Sequence, residues 1–233
     1  MREQSNHEAG FAIVSGPLEE LKRQFPHLHP TERAQFRTFK YELRQSSYLL
    51  GKLSARHAVQ RIWPVRHLSD IQIDSGVFLY PIVRHPDIRN LQVSITHCKD
   101  VGLALAFPES HPLGTDVEMI KEDKIEAIAS QMTAQDKDLI RRAQLPSAAM
   151  GHTLVWTVKE ALSKVLKTGL TMDFKLFELK SIEKKGQTIE SHYQHSLQYK
   201  ALSRQLGNYV VSVVLPAKTS VDLTEFWAAF PDR

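Results

Sequence analysis

The sequence has 233 residues, of which 42% are hydrophobic and 24% are charged, so it can bury the core of one large domain or two small ones. The net charge of +4 comes without the dense Lys/Arg runs of a nucleic-acid-binding protein; it suits an acidic protein partner or a phosphorylated small molecule. No apolar run approaches a membrane span, no signal peptide is recognisable, and the single cysteine, Cys98, excludes an internal disulfide. We therefore predict a cytoplasmic protein that binds neither membrane nor nucleic acid.

The first half of the chain predicts one long helix followed by short strands. In chain order we expect an irregular segment over 1–30, a short helix from Thr31 to about Phe39, a long helix from Ser46 or Ser47 to Ile62, β-like pieces over 71–73 and 77–80, and strands over 91–95 and 101–107. One face of the strand over 101–107 carries only Gly102, Ala104 and Ala106, which indicates close approach by a helix or a second sheet.

The second half repeats this order of helix and strands. We expect a strand over 113–119, two short helices within 124–144, a central helix over 154–167 closed by Gly169, two hairpins over 177–193 and 197–215, and an aromatic tail that packs back onto the body. The predicted fold class is α+β, a pseudo-dimer of two similar lobes, each an antiparallel sheet packed on a long helix. Residues 1–112 would form one lobe and residues 113–233 the other, with a ligand site at their interface.

Two acidic residues share one face of the strand at 113–119. Asp116 and Glu118 alternate with Thr115, Val117 and Met119, and like charges on one strand face repel each other. A bound cation would remove that repulsion, and the adjacent Gly114 would leave the backbone open to a ligand. The alternative is a solvated strand end.

The central helix carries a second charged pair. Glu160 lies roughly opposite the apolar stripe of this helix, and Lys164 follows one turn later. Taken alone, this spacing indicates an ordinary surface ion pair at i,i+4. Three carboxylates and one ammonium nevertheless suit a Mg²⁺ ion that binds substrate phosphates.

Both acidic segments resemble the signature of the 4′-phosphopantetheinyl transferases. The matching residues are Gly114-Thr115-Asp116-Val117-Glu118 and Trp156-x-x-Lys159-Glu160-Ala161-x-x-Lys164. The order and spacing are similar to the two-lobed class typified by the surfactin synthetase activator. Ser94-Ile95-Thr96-His97 resembles the Ser-x-Ser-His element of that class, and Leu49-Leu50-Gly51-x-x-x-x-Arg56 resembles its N-terminal helix.

The resemblance implies Mg²⁺-dependent transfer of phosphopantetheine from coenzyme A to a serine of an acyl or peptidyl carrier protein, by a monomer that releases adenosine 3′,5′-bisphosphate. On the matching positions, Asp116, Glu118 and Glu160 would hold Mg²⁺. Glu160 would also accept the proton of the carrier serine, and Lys164 would stabilise the leaving phosphate and contact coenzyme A. Thr96 and His97 would contact the 3′-phosphate of coenzyme A. Asp136 falls near a further acid of the family.

Departures from the family pattern keep two alternatives open. Tyr80 stands where many members have a phosphate-binding lysine, and Glu32 and Gln35 occupy expected basic positions. A degenerate member that binds carrier protein or coenzyme A without turnover is therefore one alternative. A metal-dependent nuclease is the other, although its usual arrangement places an acid two residues before the lysine, and Ile120 holds the position two after Glu118.

Overall fold

The structure is a computed structural model that describes residues 6–231. The helices are α1 Leu18–Arg23, α2 Pro30–Phe36, α3 Glu42–Ile62, α4 Ile125–Ser130, α5 Ala134–Arg142, α6 Ala148–Val165 and α7 Thr224–Ala228. The strands are β1 Gly10–Ser15, β2 Gln72–Ser75, β3 Pro81–Arg84, β4 Leu91–Cys98, β5 Val101–Pro108, β6 Gly114–Met119, β7 Leu179–Lys185, β8 Thr188–Tyr193, β9 Tyr199–Leu206 and β10 Tyr209–Pro216. Over residues 6–231, no helix combines the length and hydropathy that a membrane span requires.

The strands form two main antiparallel sheets and one short ribbon. The first sheet has the order β1-β5-β4, the second has the order β6-β10-β9-β8-β7, and β2 pairs with β3 alone. Helix α3 packs on the first sheet and helix α6 on the second. This confirms the predicted α+β class. Since the two sheets differ in strand number, two similar lobes divided at residues 112 and 113 stay a prediction.

Helix α3 approaches the first sheet at the predicted small residues. A Cβ atom added to Gly102 would lie 2.7 Å from the carbonyl oxygen of Leu50, so only glycine allows this approach. Ala104 and Ala106 are fully buried in the cluster formed by α3 and its sheet. The small face of β5 therefore receives a helix, as expected.

Helix α6 lies even closer to the second sheet, and this corrects the prediction for Gly114. A Cβ atom on Gly114 would lie 2.1 Å from the carbonyl oxygen of Ala161. Gly114 is buried under α6 and gives no ligand access to the backbone. The glycine is required by packing, because no side chain fits between strand and helix.

The prediction of an irregular segment over residues 1–30 is wrong for residues 6–30, which contain a strand and a helix. Residues 1–5 lie outside the described part of the chain. Strand β1 pairs with β5 from Gly10 opposite Ala106 to Ser15 opposite Val101, and α1 follows it. Phe11 packs on the aromatic tail cluster and Ala12 on the α3 cluster, so β1 has the alternation of a strand. The segment is short and bounded by Gly16 and Pro17, which obscured this alternation.

Other boundaries also differ from prediction. Residues 77–79 form a 3-10 turn instead of an extended piece, α3 begins at Glu42, and α6 ends at Val165, before Gly169. The first non-glycine residue with a left-handed backbone after α6 is Lys167, with φ of 58°. The predicted packing of the tail is confirmed, since its aromatic residues are buried against the β5 and β10 side chains: Phe226, Trp227 and Phe230.

We predict that Gly114→Ala lowers the free energy of unfolding by about 2–3 kcal/mol or more, because the added methyl group collides with the backbone of α6. Urea denaturation measures this change. Gly51→Ala is the matched control: its Cβ would meet only Ile95 Cγ2 at 3.4 Å, and alanine favours a helix interior, so stability should change by about 1 kcal/mol or less. Equal losses in the two variants would contradict the packing argument.

Candidate functional site

Three carboxylates meet where α6 crosses β6. Asp116 and Glu118 project from one face of β6, and Glu160 immediately precedes the Ala161 carbonyl that rests on Gly114. One carboxylate oxygen of each acid lies within 4.8 Å of the others. The structure thus brings together residues that are separated by more than forty positions in the sequence.

Hydroxyl groups of β4 join the first sheet to this acidic strand. The Thr115 amide donates to Ser94 Oγ at 3.0 Å, and Thr96 Oγ1 donates to Asp116 Oδ1 at 2.8 Å. The Val117 amide in turn donates to Thr96 Oγ1 at 3.4 Å. Thr96, predicted to contact a phosphate, is buried and is used to orient Asp116. Sequence reasoning assigned Ser94 no structural task, since its partner lies on a strand paired elsewhere.

Lys164 supplies the positive charge inside the acidic cluster. Its ammonium donates to Asp116 Oδ1 at 2.7 Å and to the Thr115 carbonyl at 3.0 Å, and it lies 4.0 Å from Glu160 Oε1. Lys124, in the 3-10 turn after β6, contacts Glu118 Oε2 at 3.3 Å. Two ammonium groups therefore face three carboxylates, and the cluster keeps an excess of negative charge.

The donor set fits a divalent cation. Asp116 Oδ2 is buried and, among the described residues, has no hydrogen-bond partner, whereas Oδ1 has two. An unpaired buried carboxylate oxygen is costly, and an oxygen-binding ion such as Mg²⁺ would satisfy it. Asp116, Glu118 and Glu160 could hold such an ion, because their oxygens already lie together.

Burial and mutual repulsion make the acids hard to ionise together. Burial, with the charge of Asp116 adding to it, raises the pKa of Glu160 to about 7. Burial and Asp116 also raise the pKa of Glu118 above its usual range. A proton or a metal ion must therefore balance this cluster near neutral pH.

His97 is the last residue but one of β4. Its side chain is exposed, yet the surrounding protein partly desolvates the ring and lowers its pKa, and the charges of Lys164 and Arg44 lower it further. Arg44, which sequence reasoning did not single out, rests with its guanidinium 5.0 Å from the ring centre of Phe39. The charges of both Lys164 and Arg44 therefore act on the His97 ring.

A cavity of ≈ 430 Å³ opens beside Lys164. Its walls come from the turn before β3, from β4 and from the segment after α6. Aromatic, aliphatic and cationic side chains line it together, among them Phe78, Leu79, Tyr80, Lys164, Lys167 and Leu170. Because Lys164 contacts Asp116, one ligand could reach both the acids and this cavity.

Other residues noted in the sequence have structural partners. Asp136 lies in a fully buried ion pair with Lys159 at 2.5 Å and accepts the Leu179 amide at 3.0 Å. Arg56, at the end of the segment that resembles the family's N-terminal helix, is buried and paired with Glu32. Neither pair belongs to the acidic cluster. The Asp136–Lys159 pair instead ties α6 to α5, on the side of α6 away from the cluster.

Part of this chain is similar in sequence to known proteins. Residues 112–214 match the sequence model of the family described as ACPS: 4′-phosphopantetheinyl transferase superfamily. A curated relative, 4′-phosphopantetheinyl transferase pptA of Paxillus involutus, is 29% identical over 154 residues, which are 57% of this chain and 57% of that protein. The chain thus spans less than two thirds of that relative. These matches support a place in the superfamily, and residues 112–214 contain all three acids and Lys164.

Three solved holo-(acyl-carrier-protein) synthases overlap part of the chain. The protein of Bacillus anthracis str. Ames, in complex with CoA (3′,5′-ADP), is 18% identical with a TM-score of 0.38 and covers 43% of this chain and 93% of its own. The Neisseria meningitidis protein is 19% identical with a TM-score of 0.37 (43% and 96%). The Thermotoga maritima protein is 19% identical with a TM-score of 0.35 (51% and 72%).

We predict that Asp136→Ala lowers the free energy of unfolding by about 3–5 kcal/mol, because it leaves the Lys159 ammonium buried without a partner. Asp138→Ala, on the same helix, removes only exposed pairs with Arg141 and Arg142 and should cost less than about 1 kcal/mol. Chemical denaturation compares the two. A loss of stability no larger for Asp136→Ala would contradict the anchoring role.

A second prediction concerns pH without metal. A carboxyl group whose pKa rises from 4.5 to about 7 on folding destabilises the folded protein increasingly as pH rises through that window. In EDTA at pH 8, Glu160→Gln should therefore raise the free energy of unfolding by roughly 1–2 kcal/mol, and the difference should shrink by pH 5. The exposed Glu126→Gln is the control. A less stable Glu160→Gln variant at pH 8 would refute the assigned pKa shift.

Proposed function

We propose that this protein is a 4′-phosphopantetheinyl transferase that moves phosphopantetheine from coenzyme A to a serine of an acyl or peptidyl carrier protein. The observation that supports this most is the meeting of Asp116, Glu118 and Glu160 beside Lys164, with one buried oxygen of Asp116 unpaired. The superfamily match over residues 112–214 supports the same activity.

Mg²⁺ is the cofactor in this proposal, and the same three acids would hold it. When bound, the ion neutralises the diphosphate of coenzyme A at the reacting centre. Glu160 is the residue whose pKa of about 7 suits it to accept the proton of the carrier serine as the serine oxygen bonds to phosphorus. Lys164 stabilises the charge that develops on the leaving adenosine 3′,5′-bisphosphate.

The remaining predicted residues divide between positioning and binding. Thr96 orients Asp116 through its hydroxyl group, and the exposed His97 is the residue of this pair that contacts the 3′-phosphate of coenzyme A. All these groups come from one chain, so we propose a monomer with its cleft between two lobes, 1–112 and 113–233. The target carrier would be acidic, as the net charge of +4 favours.

We predict that Asp116→Ala and Glu160→Ala each reduce transfer by at least roughly a hundredfold, since each removes a group from the reacting centre. Mass spectrometry of an apo carrier protein incubated with coenzyme A and Mg²⁺ measures the gain of one phosphopantetheine. The exposed Glu122→Ala is the matched control and should leave the rate unchanged.

Full activity of either variant would refute the assigned roles. A wild-type protein that modifies no carrier across several types, yet binds coenzyme A in calorimetry, would favour the degenerate binding protein. Nicking of plasmid DNA with Mg²⁺ would favour the nuclease.

A further inference from the structure

Residues 37–44, which connect α2 to α3 and form the first turn of α3, carry a cluster of cations that we call the basic elbow. The cations are Arg37, Lys40 and Arg44. All three are exposed, and within residues 6–231 none of them forms an ion pair. The single acid of the elbow, Glu42, is exposed and likewise unpaired in the described part of the chain. The elbow therefore presents an excess of positive charge.

Aromatic rings hold two of these cations in place without neutralising them. The guanidinium of Arg37 lies 5.8 Å from the ring centre of Phe25, and that of Arg44 lies 5.0 Å from the ring centre of Phe39. Such contacts restrict a side chain and leave its positive charge available to a carboxylate. A pre-positioned cation loses less conformational freedom when an acidic partner binds.

Helix stability does not account for Arg44. This residue is the third of α3, a helix of 21 residues, so its charge lies at the positive end of the helix dipole. Glu42, the first residue of the helix, is the type that the dipole favours there, and a cation two residues later opposes it. The position of Arg44 therefore favours a role in binding over a role in folding.

Two large apolar side chains lie among the cations of the elbow. Tyr41 is 78% exposed and Leu43 is 76% exposed, and neither belongs to a hydrophobic cluster of the described residues. A single exposed apolar residue is common on a protein surface. An apolar centre with a charged rim is instead typical of a protein–protein interface, so the combination indicates a protein partner.

The elbow lies within electrostatic reach of a residue that the acidic cluster also influences. The charge of Arg44 acts on the ring of His97, and the charges of Lys164 and Asp116 act on the same ring. A protein seated on the elbow would therefore lie close to the groups that carry the proposed reaction.

We propose that the basic elbow is a docking surface for the acidic carrier protein, with carboxylates of the carrier facing the three cations and an apolar side chain of the carrier packed on Tyr41 and Leu43. This inference rests on the proposed function, under which the partner is a carrier protein. Charge complementarity selects this occupant. A second copy of the chain, bound through the same surface, would bring like charges together and be repelled.

Transfer kinetics at varied concentrations of an apo acyl carrier protein test the docking role. Arg37→Glu/Lys40→Glu should raise the KM for the carrier about tenfold or more and leave kcat within about twofold, since the elbow binds the carrier without touching the reacting atoms. Tyr41→Ser/Leu43→Ser should raise the same KM. Added salt should raise the KM of the wild type more steeply than that of the charge-reversed variant.

The matched control is Arg66→Glu/Lys218→Glu, which makes the same change of net charge at exposed positions outside the elbow. It should leave the KM for the carrier within about twofold of the wild type. Calorimetry should show that every variant binds coenzyme A as the wild type does, because the nucleotide does not use the elbow.

An unchanged KM in the charge-reversed variant, or an equal rise in the control, would overturn the docking role. Weaker binding of coenzyme A by the charge-reversed variant would overturn it too, because the cations would then serve the nucleotide. A wild-type protein that modifies no carrier would overturn the proposed function alone. Binding to immobilised apo carrier then decides the docking role, which stands if only the charge-reversed variant fails to bind and falls if both proteins bind or neither does.

Discussion

The candidate site depends on one backbone contact: the carbonyl oxygen of Ala161 packs directly against Gly114. Because no side chain separates α6 from β6, the residues flanking Ala161 reach the level of the acids on the strand. As a result, a carboxylate oxygen of Glu160 lies within 4.8 Å of one of Asp116. Lys164 donates a hydrogen bond to Asp116 Oδ1. A wider spacing would leave the same charges exposed and independent, as an ordinary surface ion pair would be.

The rest of the fold stabilises an arrangement that is electrostatically unfavourable by itself. Burial and repulsion raise the pKa of Glu160 to about 7, and one oxygen of Asp116 stays unpaired among the described residues. Structure elsewhere offsets this cost. The buried Asp136–Lys159 pair fixes the back of α6, and the Ser94 and Thr96 hydroxyls fix β6 against β4. These buried contacts fix both elements that carry the acids, and a close-packed interior leaves little room for the acids to move apart.

Sequence periodicity was sufficient to predict the α+β class and the faces that carry the acids, since strand and helix periods determine which side chains lie together. Periodicity does not show how closely two elements approach. The sequence alone therefore does not distinguish a Gly114 that exposes backbone to a ligand from one that packs against a helix, as the structure shows. In the sequence, Asp136 cannot be distinguished from a metal-binding aspartate. The structure shows instead that it forms a buried ion pair with Lys159. Strand β1 was missed because its six residues are too few to display their alternation between turn residues.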